Sequence, residues 1–82
     1  MTHALKVWPE FFESLDNGVK NFELRKADRP FKIGDRLLLQ EYEVGKGYSG
    51  VEIERRISYI LDDPDFGLKK GYVILGLEKI ES

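Results

Sequence analysis

Gly18-Val19-Lys20-Asn21-Phe22-Glu23-Leu24-Arg25 joins a helix stop to the first firm strand of the chain. Asn17 and Gly18 end whatever precedes them, because glycine accepts the left-handed backbone that closes many helices. From Lys20 to Lys26 the residues alternate. Phe22 and Leu24 fall on one side, and Asn21, Glu23 and Arg25 on the other, which predicts a half-buried strand with a polar outer face. The same parity sets Lys20 with Phe22, so only a bulge or an irregular first residue turns it toward Glu23 and Arg25.

Upstream, Leu5 and Val7 alternate with Lys6 and Trp8, a short strand over residues 3–8. Pro9 suits a first helical turn. Glu10 and Glu13 favour the positive end of a helix dipole. Phe11, Phe12 and Leu15 make an apolar stripe, and a helix is expected over about 9–17. Downstream, Phe31 and Ile33 read as core residues before an Ile33-Gly34-Asp35 turn. Residues 36–44 form a strand, and their three leucines suggest cover on both sides. Gly45 to Gly50 is a glycine-rich hairpin loop. Residues 51–61 alternate as a long strand, with Val51, Ile53, Ile57, Tyr59 and Leu61 on one face and Arg55 interrupting it. Residues 72–80 are apolar on both faces, as in an interior strand. The expectation is a mainly β, α+β domain: a small pseudo-barrel of about five strands with one short helix. An SH3-like barrel without a true helix is the alternative.

Length and composition agree with one domain over residues 1–82. The apolar fraction is 41%, enough for a single core, and there are no cysteines. Disulfides, thiolate metal sites and cysteine nucleophiles are excluded, and a reducing cytoplasm is the expected setting. Met1 to Lys6 is too polar for a signal peptide, and no apolar run approaches membrane-spanning length. The net charge of −2 argues against a generic salt-driven nucleic-acid coat. The charge is unevenly placed, however. Residues 20–36 hold six basic residues against three acids, on an otherwise acidic chain. Such a segment reads either as a localised anion site or as solvated loops and an edge strand.

Glu23 and Arg25 lie two positions apart on one strand, their Cβ atoms roughly 6–7 Å apart. Arginine presents a planar fork for phosphate or a base edge, and glutamate can orient it or accept from an amine. The pair reads equally as an exposed surface salt bridge. Lys20 is a candidate anion ligand or, if desolvated, a base. Lys26 adds a cation at the strand end. Tyr48, on its glycine-rich tip, is the expected stacking residue, with Trp8 roofing the core beside Phe11. His3 alone makes no metal site. Asp62, Asp63 and Asp65 lack EF-hand spacing and read as turn residues that accept local N–H groups. No metal and no cofactor is expected.

With these residues in view, the chain resembles the PUA-like superfamily, and within it the ASCH-type domains. Their Gly-x-Lys-x-x-Glu-x-Arg motif stands here as Gly18-x-Lys20-x-x-Glu23-x-Arg25. It looks most like a small uncharacterised bacterial and phage family, through His3-x-Leu5-Lys6, Pro9-x-x-Phe12, Phe22 to Lys26, Tyr59 to Asp63 and Gly71 to Gly76. The resemblance implies a pseudo-barrel with a cleft beside the motif and a role in binding RNA or a modified nucleotide. A related ASCH enzyme class hydrolyses N4-acylated cytidine with a lysine, a threonine and a glutamate. Its lysine falls on Lys20, its threonine position on Glu23, and its glutamate has only Glu52 and Glu54 as candidates. The functional expectation is thus an RNA or nucleotide module. A small hydrolase using Lys20 and Glu23 is the alternative, and a protein-interaction accessory module is a second one.

Overall fold

Pro9 opens a helix because its missing N–H would have no partner in the first turn anyway. The Trp8 carbonyl accepts from the Phe11 and Phe12 amides at 3.0 and 2.8 Å. The computed structural model describes residues 1–81. In chain order they give β1 (Thr2–Val7), α1 (Pro9–Asp16), β2 (Phe22–Lys26), β3 (Arg36–Glu43), β4 (Gly47–Leu61), a 3-10 turn (Pro64–Phe66) and β5 (Tyr72–Lys79). The helix ends as its sequence predicts, with Gly18 in left-handed backbone at φ 82°. The Lys20 amide then reaches back to the Ser14 carbonyl at 2.8 Å.

Among the described residues the strands form one five-stranded sheet in the order β1-β3-β4-β5-β2. It curls into a half-barrel with α1 as its short helix. β1 runs parallel to β3, and the other pairings are antiparallel. The first and last strands in this order are the two edges, and curling brings them face to face across an open seam. Leu5, Val7, Leu37, Leu39, Ile57, Val73, Leu75 and Leu77 line the concave side, and Phe12 and Leu15 of α1 complete the core. Phe11, expected in the same stripe, is exposed.

Two departures from simple alternation shape the sheet. The β4–β5 register shifts between Ile57 and Tyr59, so Ile60 rather than Tyr59 packs against the core. A bulge of this kind moves every later side chain to the other face. Gly76 sits opposite the shift, where a Cβ would lie 3.2 Å from Ser58 Oγ and 3.3 Å from Tyr59 Cβ. Arg55, which interrupts the apolar face in the sequence, pairs in register with buried Leu37. Its Nη2 donates to the Leu15 and Asp16 carbonyls at 3.1 and 3.4 Å. A guanidinium thus satisfies helix-end carbonyls and meets the negative end of the dipole.

The turn before β3 is fastened by polar contacts. His3, buried on β1, places Nε2 2.8 Å from Asp35 Oδ2, and its ring meets the edge of Phe31 at 4.8 Å. The Lys32 amide donates to the same oxygen at 3.1 Å, and the Met1 amine to Oδ1 at 3.2 Å. Of the two residues expected in the core here, Phe31 packs against it and Ile33 is exposed. Asp63 Oδ1 accepts from the Asp65 amide at 2.9 Å, the local role expected of that acidic loop. Among the described residues no helix is long and apolar enough to cross a membrane.

The hydrogen bond from His3, with those from the amino terminus and the Lys32 amide, outweighs burial and holds the Asp35 carboxyl below its ordinary 3.8. The unfolded chain therefore binds more protons in that range, and stability rises with pH there. The contribution is complete above the ordinary value and is lost as pH falls through the lower folded one. Urea unfolding from pH 2.5 to 6 should show wild type losing stability below about pH 4, and Asp35→Asn a flatter dependence from a lower plateau. Identical slopes in the two proteins would refute this role.

Candidate functional site

Glu23 is 3% exposed, while its neighbours Phe22 and Leu24 are 44% and 54% exposed. The strand is therefore inverted relative to the expectation from alternation. The cause is register. Glu23 lies opposite Leu75 and Arg25 opposite Val73, both core residues of β5. Directly opposed residues of an antiparallel pair share a face. Phe22 and Leu24 lie opposite Gly76 and Ile74 on the outer face.

A buried carboxylate is tolerated because it is paired on both oxygens. Lys20 Nζ donates to Oε1 at 2.9 Å. Arg25 gives Nε to Oε2 at 2.9 Å, and its Nη2 lies 2.8 Å from the same oxygen. Lys20 reaches this position because it precedes β2, and its backbone follows the helix end rather than the strand pleat. Its ammonium also stands 4.9 Å from the Phe11 ring centroid and 5.2 Å from that of Phe22. Cation–π attraction of about 0.5–2 kcal/mol holds such a group at a ring face.

Arg25 also spans the seam, with Nη2 donating to the Lys6 carbonyl of β1 at 2.6 Å. Two residues back along β1, the Ala4 carbonyl accepts from Arg29 Nη1 at 3.4 Å. The carbonyls that β1 turns away from β3 are thus met by guanidinium groups where a closed barrel would supply another strand. The free edge is covered and cannot easily recruit a foreign strand.

Beside Arg25 the seam opens into a cleft of about 420 Å³. Val7, Trp8, Phe11 and Leu24 give it apolar walls, and Lys6, Lys20, Glu23 and Arg25 supply its charge. Trp8 and Phe11 stack at 6.1 Å with 21° between their planes, and both are exposed. Three cations against one carboxylate leave the described lining with a formal excess of two positive charges. Among the described residues Arg25 Nη1 has no hydrogen-bond partner, so its N–H groups are available to an anion.

The structure thus gathers Lys20, Glu23 and Arg25 in one cleft. Lys26 is not among them. It is exposed at the end of β2 and shares the outer side with Phe22 and Leu24. Tyr48 is also outside the cleft and lies within β4, paired with Tyr42. The hairpin loop expected over Gly45 to Gly50 is a tighter turn, since β4 already begins at Gly47. Trp8, expected to roof the core, stands instead at the cleft wall. Lys6 is the lining residue that the sequence did not single out. Its signal was present, as an outward lysine two positions before the only tryptophan. Glu52 and Glu54 face Gln40 and Arg36, each at 3.3 Å, on the exposed side of the β3–β4 pair, so neither lines the cleft. Among the described residues no cluster of acids and histidine could hold a metal ion.

Residues 2–77 match a family described as a domain of unknown function, DUF3850. The chain is also similar to an uncharacterised 12.9 kDa protein in the GpA 3' region of Escherichia phage P2. The two are 34% identical over 73 residues, which make up 89% of this chain. The chain spans 64% of that relative's length.

Removing the carboxylate should be felt through its two partners. Glu23→Ala is expected to lower stability by about 1–3 kcal/mol, the range for leaving buried polar partners unmatched. Lys20 and Arg25 are partly exposed and can turn toward water, which keeps the effect from growing larger. Phe22→Ala, on the outer face, should cost less. Denaturant unfolding of the two variants checks the order, and a larger loss in Phe22→Ala would contradict the inverted strand.

Proposed function

We propose that the chain, which belongs to the DUF3850 family, is a PUA-like, ASCH-type domain that binds RNA or a nucleotide in its seam cleft. The observation that carries the reading is convergence. Gly18, Lys20, Glu23 and Arg25 are the residues of the resemblance, and the last three meet around one carboxylate in the cleft. A surface ion pair needs no such cavity.

The chemistry suits a nucleotide's two parts. Arg25 Nη1 and the Lys20 ammonium offer donors and positive charge to a phosphate. Trp8, stacked on Phe11, offers a broad ring surface to a base, and base–aromatic stacking contributes about 1–3 kcal/mol per base. Glu23 positions the cations from beneath and reads no phosphate itself. A volume near 420 Å³ accommodates one base with its sugar. On the other side of α1, Glu10, Glu13, Asp16 and Glu41 line a separate acidic groove. A polyanion approaching this molecule is steered toward the seam and away from that groove. A cytoplasmic setting, where RNA is present, accords with the lack of cysteine.

Because the chain holds a single tryptophan, its emission reports on the cleft directly. Titration with short single-stranded RNA should quench Trp8. Affinity should fall with salt at a log–log slope of about −2 for three cations on a single strand. Lys20→Ala keeps the Arg25–Glu23 pair and should weaken binding about 10-fold or more. Unchanged emission, or equal affinity in the variant, would overturn the reading.

A further inference from the structure

Lys6 lies on the border between two aromatic surfaces. It lines the seam cleft together with Trp8. Its ammonium nevertheless stands over Tyr42, 4.5 Å from the ring centroid, and 5.7 Å from that of Tyr48. The two tyrosines meet edge to face at 5.1 Å and 70°. The β3–β4 register shifts between Gln40 and Tyr42. Gln40 is the β3 partner of Lys6, so this irregularity lies beside the lysine. A shift of this kind re-aims the side chain that follows it. Tyr48 is left 56% exposed.

We infer that the ligand is a single-stranded oligonucleotide of at least two nucleotides, with one base in the seam cleft and the next on Tyr48. Lys6 meets the phosphate between them. The inference rests on the nucleic-acid reading above and extends it from one nucleotide to a strand. An alternation of stacking rings and cations is what sequence-tolerant single-strand binding requires. Here the order is Trp8, Lys6, Tyr48.

The charge around each position fits its assigned part. The groove at Tyr48 also contains Glu41, Glu43 and Lys46, a formal balance of one negative charge, with Glu43 paired to Lys46 at 3.1 Å. Such a groove repels phosphate but tolerates the neutral face of a base. Phosphate is therefore confined to the side of Lys6 that faces Lys20 and Arg25. A purely structural cross-strand tyrosine pair would stabilise the hairpin, but it would give Tyr48 no influence on how ligand length affects binding.

The test measures Trp8 quenching by uridine 5'-monophosphate, the dinucleotide UpU and the tetranucleotide of uridine. Wild type, Tyr48→Leu and Tyr48→Phe are compared, with thermal melts to confirm folding. Wild type should bind the tetranucleotide more tightly than the mononucleotide. Tyr48→Leu should lose roughly 5- to 150-fold in tetranucleotide affinity, the range for one stacked base, and leave the mononucleotide unchanged. Tyr48→Phe should retain most of the affinity. If length has no effect in wild type, or Tyr48→Leu binds the tetranucleotide normally, the extended strip is wrong and the one-nucleotide cleft stands. If none of the three ligands binds to wild type, both readings fall. The length series in wild type decides the matter even if Tyr48→Leu does not fold.

Discussion

A carboxylate buried on a strand face otherwise made for the core is the constraint from which the rest of this molecule follows. Glu23 takes a place between β5 and the seam where a leucine would pack. It can do so because Lys20 and Arg25 each pair with one of its two oxygens. A buried ion network of this kind is weak support for stability, since apolar replacements of similar volume often do as well. Its consequence is positional. Two long, flexible cations are held at fixed points beside an apolar cavity, and the freedom they would lose on meeting a ligand is already spent.

The same guanidinium explains why the half-barrel remains open where it does. β1 and β2 are the sheet edges, and a ladder between them would close the cleft. Arg25 and Arg29 instead reach the Lys6 and Ala4 carbonyls of β1. The edge carbonyls are satisfied, while the space between the strands stays available. The helix stop at Gly18 matters for a related reason. By turning the chain and returning the Lys20 amide to Ser14, it sets Lys20 above the carboxylate from outside the sheet.

Much of the fold was legible in the sequence, because element boundaries follow strong local signals. Pro9, the Asn17–Gly18 stop, the leucine run of β3 and the apolar last strand each carry their own stereochemistry. The orientation of β2 was not legible. Alternation distinguishes two faces but identifies the inner one only by polarity, and here charged residues face inward because they neutralise one another. A pairwise effect of that kind is invisible to a residue-by-residue pattern. Tyr59 and Ile60 reverse the faces that alternation gives them for another reason, since a register shift opposite Gly76 changes parity without any polar marker. The motif spacing identified Lys20, Glu23 and Arg25 as a group. It could not show that Lys26 faces the other way or that Tyr48 lies across Lys6 from the cleft, because both depend on contacts between distant strands.

We propose that Glu23 organises the seam into an anion-binding cleft. Nitrogen-15 correlation spectra recorded while single-stranded RNA is added test it most directly. The Trp8 indole, the Arg25 Nε–H and the backbone amides of Lys6 and Lys20 should move first and together. The outer-face amides of Lys26, Tyr72 and Ile74, which lie outside the cleft, should stay still. Shifts centred on that outer face, or spread evenly over the molecule, would contradict the account.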